Sequence, residues 1–393
     1  MLLQNKQIAI VGGGPGGLTL ACLLQINGAT VKVYERDLNR HARVQGGTLD
    51  LHHESGLAAL RKAGLLEAFK THYRPGADRL VLVDKHAAVV LDEGPEVPVA
   101  TFGNASFRPE IDRGPLRDIL LDSLQPGTVV WDSHLVSVQP CGQGWQLAFQ
   151  SGEVATADIV IGADGANSKI RPLVTSIKPF YAGVTVVEGS VYDAVKNAPR
   201  IHQLVQGGKI FALGDSKTLI ISAKGDGSLS FYTGCKTPET WGRDSGIDFS
   251  DATEVQTWFR QEFSGWADTW DELFENGQTT CVVRPQYCMP LTQTWEAQPN
   301  ITLLGDAAHL MPPYAGEGVN MAMLDALELS NCLADSQFSD LQAAIAHYEN
   351  QMRQRVSAVA QETLEQTEAL HSPHALAYLV SFFSQAQEVD KPD

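Results

Sequence analysis

The sequence predicts an α/β fold: a Rossmann-type nucleotide-binding domain, an inserted and mostly antiparallel β-sheet domain, and a long C-terminal helix bracing the two. Three observations predict it. The apolar run Ile8-Ala9-Ile10-Val11 leads directly into Gly12-Gly13-Gly14-Pro15-Gly16-Gly17. From about residue 174 to 284, short alternating segments are punctuated by glycine-rich turns. From Leu341 onward, Ile345, Tyr348, Met352, Val356 and Val359 recur at three- and four-residue spacing.

Residues 6–11 read as a buried strand, and Leu18 to Leu24, interrupted only by Thr19, as a buried helix. Asn27-Gly28 ends that helix with residues suited to a left-handed cap. Thr30 to Tyr34 is the next strand and delivers Glu35, which completes a βαβ unit. A helical stretch follows near Gly56–Lys70, then strands around Leu80–Leu91 with a turn at Asp84-Lys85. Pro109 to Leu124 contains an amphipathic helix. Val129-Val130-Trp131, Leu135–Val138 and Trp145–Phe149 read as short strands, and Asp158-Ile159-Val160-Ile161-Gly162 as a strongly buried one. In the middle segment, Leu219–Ala223, the turn Gly225-Asp226-Gly227 and Leu229–Tyr232 form a hairpin. Ile301–Leu304 returns to a buried strand, and beyond Gly316 the chain is helical. A helix from Leu341 to Leu370 would span on the order of 45 Å, enough to brace two domains. Leu376, Leu379, Phe382 and Phe383 mark a final docked helix. These elements divide the chain into a discontinuous nucleotide domain (1–75, 100–173 and 285–325), a substrate domain (76–99 and 174–284) and C-terminal helices (326–386).

The 393 residues are too many for one typical core. A hydrophobic content of 44% and a charged content of 19% suit a globular enzyme. The net charge of −17 argues against a nucleic-acid partner, because such a surface repels phosphate backbones. It also requires any anionic cofactor to be held by local dipoles and particular arginines. The six cysteines are scattered, with no CxxC pair and no metal-ligand spacing, which reads as reduced thiols and no metal. No stretch approaches the roughly 18 apolar residues of a membrane span. The N-terminus lacks a basic leader and cleavage site, so the expectation is a cytoplasmic protein, monomeric by default.

Gly12 permits a tight turn out of the first strand, Gly14 lets backbone approach a pyrophosphate, and Gly17 lets the helix pack closely on the sheet. The helix beginning at Pro15 offers free N–H groups and a partial positive charge to phosphates. Glu35 ends the second strand 23 residues after Gly12, where a carboxylate accepts hydrogen bonds from ribose hydroxyls and repels a 2′-phosphate. Near the other end stands Gly305-Asp306-Ala307-Ala308-His309, followed by Pro312-Pro313, Gly316-Glu317-Gly318 and Asn320. Asp306 follows a strand, and Gly316, Gly318, Val319 and Asn320 open the helix after it. The two clusters together point to FAD.

These motifs, with Gly162-Ala163-Asp164-Gly165 and Ser168 and Arg171 between them, resemble those of the flavin-dependent aromatic hydroxylases of the p-hydroxybenzoate hydroxylase type, over nearly the whole chain. The resemblance implies that Asp164 touches FAD and a pyridine nucleotide, and that Arg113, ahead of Arg117 on one helix, contacts the flavin. Within that family, Val33-Tyr34-Glu35-Arg36-Asp37, Gly46 through His52, Pro109-Glu110-Ile111, Gly305 through Pro313 and Lys236-Thr237-Pro238 are similar to the tetracycline-inactivating monooxygenases. By that resemblance Gly12, Gly14, Pro15, Gly17, Glu35, Arg36, Asp50, Arg113, Asp164, Asp306, Gly318, Val319 and Asn320 hold FAD. Arg43 is the candidate for NADPH, or else a surface charge. Glu188, Lys209, Ser230, Tyr232, Pro313, Tyr314 and Gly316 line the substrate pocket. Here the chain departs from the pattern: Glu188, Lys209, Ser230 and Tyr232 stand where glutamine, arginine, histidine and glycine are expected, and Tyr314 replaces phenylalanine. Tyr232 shrinks the pocket.

The resemblance implies a FAD-dependent, NADPH-consuming monooxygenase that uses O2 to hydroxylate an electron-rich enol or phenol carbon. The substrate it suggests is a tetracycline-type antibiotic, with another aromatic or polyketide compound as the alternative. The flavin carries the chemistry, so no side chain is needed as nucleophile, and His309 reads as structural. A halogenase lacks support, since its tryptophan-rich WxWxIP motif is absent. A non-catalytic flavin-binding protein is a further alternative.

Overall fold

The computed structural model describes residues 2–42, 47–92, 101–275 and 281–389. Its first layer is a five-stranded parallel sheet in the order Ile301–Leu303, Ile159–Gly162, Gln7–Val11, Thr30–Tyr34, Val129–Val130. The apolar strands lie at its centre, as expected for strands covered on both faces. The helix Pro15–Ile26 is buried from Gly16 to Leu24. It is apolar all round because it lies between this sheet and the helix Gly318–Ala334.

The second sheet has seven strands in the order Val282–Cys288, Phe180–Val191, Leu229–Lys236, Lys217–Ala223, Lys209–Gly214, Leu80–Asp84, Val89–Asp92. It is antiparallel except where Lys209–Gly214 runs parallel to Leu80–Asp84. The hairpin expected at Leu219–Tyr232 is there, in register Ala223 opposite Leu229. One face packs onto a core of Phe231, Trp258, Phe259, Trp270 and Phe274. Much of that core comes from helices absent from the sequence reading, which saw only strands and turns: Pro199–Val205, Ala252–Glu262 and the 3-10 turn Asp268–Leu273. Ala252–Glu262 carries buried Val255, Trp258 and Phe259, and Asp251 caps it by accepting from the amides of Thr253 and Glu254.

Two further expectations need adjustment. The stretch 56–70 is two helices, Gly56–Lys62 and Leu66–Lys70, separated by a tight turn at Gly64. The boundary at 325 falls inside Gly318–Ala334, which runs from the cleft into the C-terminal layer.

The C-terminal helix spans Leu341–Leu370, 30 residues, capped by Asp340. Tyr348, Met352 and Val356 sit in the nucleotide-domain core, whereas Leu370 packs with Leu82, Leu213 and Leu379 beside the second sheet. One rigid element therefore joins two cores. The last helix, Ala375–Val389, docks against that sheet through Ala375 and Leu379. No helix among the described residues is long and apolar enough to cross a membrane.

Candidate active site

A cleft of about 710 Å³ runs from the glycine-rich turn to the open face of the second sheet, a size in the range of cofactor and small-ligand sites. At one end Gly12 adopts φ +109°, and a Cβ there would lie 2.2 Å from the carbonyl oxygen of Ala163. A Cβ on Gly17 would meet the Gly12 carbonyl at 2.2 Å. The strand and helix can approach this closely only through glycine. At Gly14, by contrast, nothing lies within 4 Å of a Cβ position, and the residue lines the cleft. The first intrahelical bond runs from the Leu18 amide to the Gly14 carbonyl, so the amides of Gly16 and Gly17 precede it. This is a preformed anion cradle. Glu35 is buried. Its carboxylate accepts from the amide of Gly13 at 2.5 Å and from that of Asp37 at 3.0 Å. Each oxygen keeps a lone pair for a ribose hydroxyl.

In mid-cleft, Asp306 makes no side-chain hydrogen bond among the described residues and opens to the solvent of the cleft. The loop carrying it is fixed from behind. Fully buried Asp325 accepts from the Gly305 amide at 2.8 Å and faces His309 Nε2 at 2.5 Å, and it also pairs with Arg355. Burial alone would raise the Asp325 pKa, but the His309 and Arg355 charges hold it low. Arg171 donates to the carbonyls of Ala307 at 2.6 Å and Asp306 at 2.8 Å, so the middle motif anchors the last one.

Farther along, the amides of Gly318, Val319 and Asn320 precede the first bond of their helix, Met321 N–H to the Glu317 carbonyl. Beside this positive end lies a short charged chain. His52 Nε2 is 3.0 Å from Asp50 Oδ2, and Nδ1 is 3.4 Å from Glu317 Oε1. Burial would lower the His52 pKa, but these two carboxylates raise it to about 9. Burial would likewise raise Asp50, but His52 and Lys209 bring it below its ordinary value.

The cleft wall is the second sheet. Cross-strand register sets three rows on its open face: Lys209, Ser222, Ser230 and Ser190; Phe211, Ile220, Tyr232 and Glu188; Leu213, Thr218, Gly234 and Val186. Behind Gly234, His371 meets the Tyr314 hydroxyl at 3.3 Å and Thr218 Oγ1 at 3.4 Å, with Nδ1 2.7 Å from the Thr367 carbonyl. The last of these contacts places the proton on Nδ1.

Of the residues expected from sequence, Gly14, Pro15, Gly17, Asp50, Arg113, Lys209, Tyr232, Asp306, Pro313, Tyr314, Gly316, Gly318 and Val319 share this cleft. Others lie elsewhere. Arg36 is exposed and off the lining. The Asp164 carboxylate accepts from Ser168 Oγ and the Lys169 amide, both at 2.6 Å, and so serves its own turn. The Asn320 side chain is spent on the 50–56 loop: it accepts from the His52 amide and Ser55 and donates to the Asp50 carbonyl. Glu188 is off the lining and paired with Arg284 on the adjacent strand. Ser230 is buried beneath Gly47. Arg43 lies outside the described residues. Sequence reasoning missed Glu110, His52, Thr218, Asp325 and Arg355 as site residues, and it treated Phe382 and Phe383 as packing although both line the cleft. The available signal for Glu110 was a carboxylate set between Pro109 and Ile111.

Comparison with known proteins agrees with this cleft. A family model described as FAD binding domain matches residues 5–101 and 146–363. Monooxygenase penA of Penicillium thymicola is 27% identical over 374 residues, 83% of this chain and 84% of the relative. Klebsiella pneumoniae HpxO complexed with FAD and uric acid superimposes with a TM-score of 0.75 at 21% identity, covering 98% of this chain and 94% of that one. Tetracycline destructase Tet(51) gives a TM-score of 0.72 at 17% identity, covering 98% and 96%. The two structural likenesses show a common fold. The family match takes in the glycine-rich turn, the Asp306 loop and the inserted sheet alike, and the chain belongs to the FAD binding domain family.

Proposed function

We propose that this protein is a FAD-dependent monooxygenase that hydroxylates an electron-rich carbon of a planar phenol or enol, with NADPH as reductant and O2 as oxidant. One observation carries the reading. A single cleft joins the Gly14–Gly17 cradle, the Asp306 carboxyl, without a side-chain hydrogen bond among the described residues, and the helix start at Gly318 and Val319, and then continues onto a mixed polar and aromatic sheet face. Reduced FAD supplies the oxygen-transfer chemistry. The chain's own residues would do the rest. Gly14, Gly16 and Gly17 would hold the pyrophosphate, Glu35 the ribose and Asp306 the ribityl chain. The helix at Gly318 would place its dipole against the pyrimidine edge. Phe211, Ile220 and Tyr232 would exclude water from one side of the substrate. The matched relative named a monooxygenase supports this class of reaction.

A tetracycline substrate is the finer reading, supported by the segments Gly46 through His52 and Pro109-Glu110-Ile111. Glu188, drawn away by Arg284, and Tyr232, on the lining, both favour a smaller ring system. The test is direct. Purified protein should be yellow and release FAD on denaturation. It should oxidise NADPH with oxygen uptake, faster when a substrate is present. Mass spectrometry of a panel of phenols, hydroxy-heterocycles and tetracyclines should show a product one oxygen heavier. Colourless protein that does not take up added FAD would overturn the proposal.

A further inference from the structure

We infer that Glu110 and Lys209 form a recognition pair for a neutral substrate edge that carries an N–H or O–H donor beside an acceptor oxygen, the pattern of a lactam or vinylogous acid, and that this pair disfavours benzoate-type carboxylates. The inference rests on the monooxygenase reading and names its substrate class.

Glu110 sits in the two-residue strand Glu110–Ile111, directly opposite Asp50, so both carboxylates project to one side. Lys209 opens a strand of the other sheet, opposite Leu80. The pair therefore bridges the two-stranded ribbon Leu49–Asp50/Glu110–Ile111 and the seven-stranded sheet on the cleft lining. Glu110 is only 3% exposed. Its Oε1 accepts from Lys209, while Oε2 is buried and meets no hydrogen-bond geometry among the described residues. The buried Thr48 hydroxyl is close enough to act on the carboxylate, and it too falls short of a hydrogen bond among the described residues. A buried acceptor left open is costly, so a ligand that donates to it gains selectively. Lys209 keeps further N–H donors for an oxygen beside that donor. Burial raises the Glu110 pKa, Lys209 opposes this and Asp50 adds to it.

Charge at this end decides the class. Asp50, Asp78 and Glu110 face the single ammonium of Lys209. Among the described residues, the other cations on the lining are Arg108, which is exposed, and Arg113, whose Nε donates to the Gly47 carbonyl. A carboxylate ligand would add a further negative charge to a group already in excess. A neutral lactam satisfies both open valences.

The test uses FAD-loaded protein and isothermal calorimetry with 2-quinolone, its N-methyl analogue and benzoate. The lactam should bind about tenfold or more tightly than the N-methyl compound, which lacks the donor, and benzoate more weakly than the lactam. In Glu110→Leu, which has no acceptor, the preference for N–H over N-methyl should vanish. Removing one member of a buried pair endangers folding, so the double variant Glu110→Leu/Lys209→Met serves as the stable control. It should melt near the wild type yet show no lactam preference. The inference is overturned if the wild type binds the two quinolones equally, binds neither, or prefers benzoate, or if the double variant keeps the preference. Those results leave FAD retention and NADPH oxidation untouched. Loss of either in the wild type would instead indict the monooxygenase reading.

Discussion

Gly12 and Gly14 stand two residues apart in one motif, and the structure gives them opposite duties. Gly12 is a folding residue. Its φ of +109° and the Ala163 carbonyl 2.2 Å from a would-be Cβ leave no room for a side chain. Because the Ala163 amide is bonded to the Val11 carbonyl, relief would require parting two central strands. Gly12→Ala should cost on the order of 2–4 kcal/mol and be visible as a lowered Tm even without FAD. Gly14 has ordinary extended dihedrals, φ −77° and ψ 177°, and open space ahead of it. Gly14→Ala should leave the Tm of FAD-free protein nearly unchanged but weaken FAD by about tenfold or more, since the methyl would occupy the phosphate position. Fluorescence titration with FAD, paired with melts of both variants, separates the two duties. A Gly14→Ala protein that binds FAD like the wild type would show that the pyrophosphate lies elsewhere.

Among the elements, the loop at Gly305–His309 depends on two helices whose cleft-lining residues lie away from the contacts that hold it. Asp325 from Gly318–Ala334 and Arg355 from Leu341–Leu370 hold it from behind, through the Gly305 amide and His309. Asp325→Asn keeps the shape but removes the buried carboxylate that joins the Gly305 amide, His309 and Arg355, leaving Arg355 to Glu328 alone. It should cost about 2–4 kcal/mol and loosen FAD in step, measured by melts and FAD affinity. Unchanged FAD affinity in a destabilised Asp325→Asn would confine Asp325 to the core. This clamp also shows what sequence can and cannot convey. The glycine motif, Glu35, Asp306 and the 341–370 helix were legible because each follows from local geometry: a turn, a strand end, a helical repeat. Asp325, Arg355 and Glu110 were not, because their meaning depends on partners 16 to 99 residues away. Asp164 and Asn320 misled for the converse reason. The resemblance assigns both to the cofactor, while their side chains serve nearby backbone and the 50–56 loop. The helix Ala252–Glu262 was missed although Asp251 and the 255/258/259 spacing announced it, because glycine turns on both sides favoured strands.

Across the whole molecule, two histidines lie where separate parts meet, and they make stability peak near neutrality from opposite sides. His371 ends the bracing helix and contacts Tyr314 of the cofactor loop and Thr218 of the second sheet. Burial lowers its pKa to about 4 from 6.5, so it is neutral when folded. Between pH 6.5 and 4 the unfolded chain binds a proton that the folded one refuses, and stability falls as pH falls. His52 joins Asp50 to Glu317 at the cofactor helix, and its pKa is raised to about 9. Its contribution is complete below pH 6.5 and is lost as pH rises towards 9, because there the folded state holds the extra proton. Each window corresponds to on the order of 3 kcal/mol. Chemical unfolding of the FAD-loaded protein from pH 4.5 to 9.5 should therefore show two limbs. His371→Asn, which retains a donor for the Thr367 carbonyl, should flatten the acid limb relative to the wild type and leave the alkaline one. His52→Gln should do the reverse, and it should weaken FAD as well because Asp50 and Glu317 then repel each other across the helix end. If both variants track the wild-type profile at every pH, neither histidine titrates across these junctions, and the coupling between cofactor loop, sheet and brace must rest on packing alone.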